Sequence, residues 1–339
     1  MRAWLLLTTV VAAACTQHLP PLYSRPPVMP AHTPAPSNPD ELGRLDHRMI
    51  EFVFDGGQLE LELYRNGDRV VQIARNRFAV PVMIAWELTA LDNLAPHGPT
   101  RGVAYLPAAP EPMGHGQAIV LAELRQADVG ARYRRELYFK ARFGDPRLAP
   151  EPYAYALPYP SGLTFSVLQG FHGKFSHRGS NEFAVDFDCP VATPVLAARP
   201  GIVVVSNAAA AGSGTTADFL DYKRTNFVIV QHDDGTLGEY MHLAPSSVHV
   251  RPGERVERLQ ELALSGNTGF SSTPHLHFQV MTAADDGIAA RSFPFQMAVA
   301  PDRVEEPAQG KRYSAWEVRP TATSMRRRAP RTSGPRELR

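Results

Sequence analysis

Between residues 45 and 147 apolar and polar positions alternate, or run apolar, over strand lengths. Gln58-Leu59-Glu60-Leu61-Glu62-Leu63-Tyr64 alternates strictly. An extended backbone therefore puts the leucines on one face and the glutamates on the other. Residues 50–54, 69–74, 80–86, 117–124 and 133–141 read the same way, and turn signals such as Asp55-Gly56-Gly57 and Arg65-Asn66-Gly67-Asp68 separate them. The pattern predicts a β-sandwich-like domain over 45–147. His97 and His115 stand alone in it beside Pro and Gly, as solvated loop histidines do.

After Leu148 the pattern changes but stays extended. Residues 148–162 carry four prolines among tyrosines and read as a connection. Residues 192–206 read as two strands joined at Arg199-Pro200-Gly201, and residues 226–243 as a hairpin turning at Asp233-Asp234-Gly235, with His242 at its far end. Residues 208–217 are a loop of small residues, and residues 183–187 and 276–280 are short apolar strands. The expectation is a mainly β chain whose second unit, over 148–300, is an antiparallel sheet.

Composition adds limits. With 339 residues, 44% hydrophobic and 20% charged, the chain is long enough for about two globular domains. A net charge of +1 gives no field strong enough to predict nucleic-acid or membrane binding overall. Residues 1–15 combine Arg2, a short apolar core and small residues before Cys15, the arrangement of an export signal. Cys15 after Ala13-Ala14 resembles a lipoprotein cleavage box, with Ala12 where Leu is usual. A lipid anchor at Cys15 and a periplasmic, outer-membrane-tethered location follow as expectations. Residues 16–44 are a proline-rich linker, and residues 301–339, rich in proline and arginine, read as a basic disordered tail. Cys189 then has no partner, so no disulfide is expected. A monomer is expected.

Candidate chemistry concentrates in three segments. Phe183-Ala184-Val185-Asp186-Phe187 buries an acid in apolar company, where an ionised carboxylate needs a partner or a metal. In Pro274-His275-Leu276-His277-Phe278 the two imidazoles leave one face of a strand about 7 Å apart, so one can bind a metal while the other faces what the metal binds. With His177 and His242, this is the composition of a zinc site.

These segments resemble the lysostaphin/LytM-type zinc peptidases of bacterial cell walls. The resemblance covers residues 163–280. It rests on Ser176-His177 with Ala184-Val185-Asp186-Phe187, on residues 190–204, on Asn226 to Gly235, on Tyr240-Met241-His242-Leu243, on Ser265-Gly266-Asn267-Thr268-Gly269 and on Pro274 to Phe278. It implies that one zinc is held by His177, Asp186 and His277, with His242 and His275 as the catalytic pair. His275 would serve the water's proton and His242 the oxyanion, in roles that can exchange. The implied substrate is the peptidoglycan stem peptide, cut at its cross-links; in a Gram-negative envelope the bond would be D-alanyl-diaminopimelate. Two other readings are a catalytically inactive wall-binding relative that activates another hydrolase, and a zinc peptidase acting on proteins. Many relatives place the first histidine four residues before the aspartate, whereas His177 and Asp186 are nine apart. Residues 178–182 must therefore bulge out, with His172 and Glu182 as substitutes for His177, and Asp188 as the rival of Asp186. His232 and His249, beside turns, read as solvated.

Overall fold

The computed structural model describes residues 34–36, 39–49, 59–110 and 116–316. The export signal with Cys15, most of the proline-rich linker, the expected strand at 50–54, His115 and the tail from 317 lie outside the described residues.

Strict alternation produces strands in the first unit as expected. Arg44–Met49, Leu59–Asn66, Arg69–Asn76, Ala118–Gln126 and Leu94–Pro96 form a five-stranded sheet in that order. Arg101–Leu106, Val82–Asp92 and Arg134–Phe143 form a three-stranded one. Leu61, Val70 and Leu124 of the first sheet share a core with Ile84, Trp86 and Leu106 of the second. The two therefore face each other as layers.

The second unit is built on a long sheet. Its strands run in the order Arg255–Val256, Gly201–Asn207, Phe227–Gln231, Leu237–Met241, Leu276–Ala283, Val185–Phe187, Thr164–Gln169 and Arg312–Ser314. Period two divides every strand between two faces. Val228, Tyr240, Phe278 and Phe187 go to a core on one side. The other side changes along the central strand Leu276–Ala283: His277 comes first, then Gln279, then Met281, which joins the core of the first unit. Phe227, Ile229 and Leu237 enter the same core. The first unit thus covers one end of the sheet face whose other end carries the histidines. Thr282 Oγ1 donates to Asp145 O at 3.0 Å, and the Arg291 guanidinium donates to the carbonyls of Pro146 and Leu148, fixing the connection.

Three expectations change. The connection at 148–162 is structural: Ala154–Ala156 pairs in parallel with Gln296–Ala300, and Tyr155, Leu157 and Tyr159 are core residues. The fold does not stop at 300. Arg312–Ser314 adds an edge strand beside Thr164–Gln169, because Tyr313 between two polar neighbours can be buried; Trp316 Nε1 donates to Ala298 O at 3.1 Å. Finally, the segments flanking Arg199-Pro200-Gly201 do not pair with each other. Pro194–Leu196 pairs with Glu261–Leu264, and Gly201–Asn207 with Phe227–Gln231.

Candidate metal centre

Strand register assembles the site. Gln169 stands across from Asp186, Asp186 across from His277, and His277 across from Met241, after which the chain delivers His242. Three neighbouring strands therefore place Gln169, Asp186 and His277 in one row. His177 reaches that row from the loop before it, and residues Gly179–Asn181 form the bulge that the nine-residue spacing requires. Ser180 Oγ accepts from Ala290 N at 3.2 Å, anchoring the bulge on the strand Ala290–Phe293.

His177 Nε2 lies 3.1 Å from Asp186 Oδ1, His277 Nδ1 lies 2.9 Å from the same oxygen, and His275 Nε2 lies 3.7 Å from it. All are buried. Backbone carbonyls set the tautomers, since a carbonyl only accepts. His177 Nδ1 donates to Gly170 O at 2.8 Å, His242 Nδ1 to Thr268 O at 2.7 Å, and His275 Nδ1 to Thr273 O at 2.8 Å. Each of these rings, when neutral, turns an Nε2 lone pair inward. His177 Nε2 approaches the carboxylate yet has no hydrogen-bond partner. Two acceptors in contact call for a proton or a metal cation between or beside them. One nitrogen from each of two histidines and one carboxylate oxygen, all mutually within 4.8 Å, suit zinc.

The electrostatics agree. Burial works against the charge on Asp186, but the His177 and His277 rings at contact outweigh it and hold the carboxyl well below the usual range. Burial also opposes protonation of His177, and the Asp186 carboxylate more than compensates, so its pKa is raised. His242 has no such carboxylate at contact. Burial, with the nearby His275 and His277, pushes it down to about 3 and leaves it neutral. Its ring centre is 4.6 Å from that of His275. His242 carries φ +63°, a left-handed conformation that non-glycine residues adopt at a cost. Asn226 and Thr268 secure it: Thr268 Oγ1 donates to Leu243 O at 2.9 Å and accepts from Asn226 N at 3.0 Å.

The structure brings together His177, Asp186, His242, His275 and His277. The alternatives lie elsewhere. His172 and Glu182 are exposed and pair with each other at 3.2 Å. Asp188 is exposed because the strand ends at Phe187 and the chain turns, Cys189 N donating to Phe187 O. His249 is exposed beside Glu261. His232 is not solvated: it is buried against Tyr155, with Nδ1 donating to Pro200 O at 3.0 Å. His242 and His275 share one tautomer, so the geometry gives neither the proton-accepting nor the oxyanion role to one ring over the other.

One participant escaped the sequence reading. Gln169 Nε2 donates to Asp186 Oδ2 and to Ser176 Oγ, both at 2.9 Å, and its Oε1 accepts from Phe175 N at 2.9 Å and Ser176 N at 3.1 Å. It ties the Asp186 carboxylate to the loop that carries His177. Its only sequence signal is its place at a strand end before Gly170.

Residues 180–288 match the profile of peptidase family M23, a range that includes Asp186, His242, His275 and His277 and begins just after His177. The chain is 31% identical over 128 residues to the peptidoglycan DD-endopeptidase ShyA of Vibrio cholerae, covering 36% of this chain and 26% of that protein. It is 35% identical over 126 residues to the glycyl-glycine endopeptidase ALE-1 of Staphylococcus capitis, covering 37% and 27%. The matched stretch thus spans well under half of either relative. Among solved structures, the catalytic domain of the antimicrobial peptidase lysostaphin from Staphylococcus simulans is 28% identical, covering 41% of this chain and 85% of that one, with a TM-score of 0.25.

Proposed function

We propose, with the M23 peptidase domain at residues 180–288 as premise, that this protein is a zinc-dependent endopeptidase hydrolysing peptide cross-links of peptidoglycan. The observation that carries the reading is the convergence of His177 Nε2, Asp186 Oδ1 and His277 Nδ1 on one ion-sized position, with His242 and His275 beside it. Both relatives are named as endopeptidases, which supports the reaction class. The presence of all five groups favours a hydrolase over a wall-binding relative.

Zinc held by His177, Asp186 and His277 would supply Lewis acidity and an acidified water. The rest falls to the chain. His242 and His275 each present an unprotonated Nε2, because Thr268 and Thr273 hold their Nδ1 protons. One of them accepts the proton of the attacking water, and the resulting imidazolium then donates to the developing oxyanion or the leaving amine. Once one ring carries the proton the other resists a second, since the two lie 4.6 Å apart in a buried setting.

The test is incubation of the purified protein and its Asp186→Ala variant with purified sacculi, followed by mass spectrometry of the released muropeptides. Conversion of cross-linked dimers to monomers by the parent alone is the expected result, and the product masses name the bond, which the two relatives' names place differently. If neither protein cuts while both sediment with sacculi, the wall-binding reading replaces this one.

A further inference from the structure

Phe175 is the most exposed large apolar side chain among the described residues, at 63%. It lies two residues before His177, and its backbone is held rather than loose. Its N–H donates to Gln169 Oε1, His177 N donates to Gly173 O at 3.2 Å, and Arg178 Nη2 donates to Lys174 O at 2.8 Å. The Phe175 ring stacks on Phe270, with centroids 6.0 Å apart and planes 19° from parallel. Phe270 precedes His275 by five residues, in the short strand Gly269–Phe270 that pairs with Ser213–Gly214. Gly214 in turn receives the ring of Phe219, which a Cβ there would meet at 2.4 Å. The two loops that deliver a metal-facing histidine and a catalytic one are thus bridged by two phenyl rings, one of them largely in water.

A phenylalanine exposed to this extent costs free energy unless something covers it in use. Fixing it beforehand lowers the ordering cost of binding. A flat aromatic face attracts aliphatic C–H groups through its negative π cloud. We infer that Phe175 and Phe270 form an aromatic platform beside the metal centre that holds an aliphatic C–H face of the substrate, either the pyranose ring of the glycan or the hydrocarbon of the stem peptide. This rests on the peptidoglycan reading above.

The experiment uses the full chain in two backgrounds. In the Asp186→Ala background, which removes cleavage, the affinity for a cross-linked disaccharide-peptide dimer is measured by calorimetry with and without Phe175→Ala or Phe270→Ala. Truncation of the platform is expected to weaken binding roughly tenfold, the order for an aromatic anchor. Phe175→Tyr should retain it. In the cleaving background, the same substitutions should raise KM with kcat and melting temperature nearly unchanged. Rings that merely staple two loops would lower kcat and the melting temperature instead, and that result overturns the inference. A dimer stripped of its sugars locates the contact: loss on both substrates assigns the peptide hydrocarbon, and loss on the sugar-bearing one alone assigns the pyranose. Binding within twofold of the parent for both alanine variants also overturns it. Absence of cleavage by the parent counts against the peptidase reading alone, because the calorimetry does not depend on turnover.

Discussion

Gln169 faces Asp186 across the sheet, its Nε2 donating to Asp186 Oδ2 at 2.9 Å while Asp186 Oδ1 stays turned toward His177 and His277. The amide therefore leaves Oδ1 as the oxygen available to a metal ion. Gly173 makes room for it, since a Cβ there would come 2.7 Å from Gln169 Oε1.

Gln169→Ala removes that restriction and unties Ser176 from the site. Partners of metal ligands typically contribute 10- to 100-fold in metal affinity or activity, so zinc affinity measured by competition with a chromophoric chelator should fall by about that factor. Gln169→Glu is expected to be worse than alanine, because it sets a second carboxylate against Asp186 Oδ2. An affinity within threefold of the parent for both variants would remove Gln169 from the site.

Metal removal should be visible in stability as well as in activity. A ligand that binds only the folded state stabilises it by RT ln(1 + [L]/Kd), about 4 kcal/mol at a thousandfold excess over Kd. A chelator should lower the melting temperature of the parent, and zinc in excess of the chelator should restore it. Asp186→Ala should melt at one temperature under all three conditions. A parent whose melting curve ignores chelator contradicts the zinc assignment.

Much of this site could be read from residue order. Alternation in His275-Leu276-His277-Phe278 and Val185-Asp186-Phe187 fixes which side chains share a face, and the apolar neighbours turn to the core on the opposite face. What alternation leaves open is register between strands. Nothing in the residues around Gln169 says that it will stand across from Asp186 rather than one position away. His232 escaped for a related reason. Its turn, Asp233-Asp234-Gly235, looks solvated, yet Arg199 folds over it to pair with both aspartates and stacks on Tyr153. The edge strand Arg312–Ser314 was hidden because a single buried tyrosine among charges carries no periodicity.

Gly269 shows why the Ser265-to-Gly269 block has its composition. It adopts φ +83°, and a Cβ there would come 1.9 Å from Thr225 Oγ1. Gly269→Ala must therefore shift either Thr225 or the segment whose Thr268 carbonyl holds His242. The expected cost is on the order of 2 kcal/mol in unfolding free energy. The loss of kcat should exceed what partial unfolding explains, since the shift reaches the carbonyl that holds the His242 tautomer. An alanine variant with the parent's kcat would show that Thr268 does not position His242.

His232 gives the fold a pH dependence separate from the metal centre. Burial pushes its pKa down to about 4, Arg199 adds to the fall, and Pro200 O, Asp233 and Asp234 oppose it. Between pH 6.5 and 4 the unfolded chain therefore binds a proton at this position that the folded chain does not. Stability from His232 is complete above about pH 6.5 and is lost as pH falls toward 4, by on the order of 3 kcal/mol in all. The informative quantity is the difference from a variant that lacks the imidazole. Urea unfolding of the parent and of His232→Gln, followed from pH 7 to pH 4.5, should show the parent losing stability more steeply and the gap between them narrowing with acid. Parallel curves would mean that the folded protein takes up the proton at His232 as readily as the unfolded chain does.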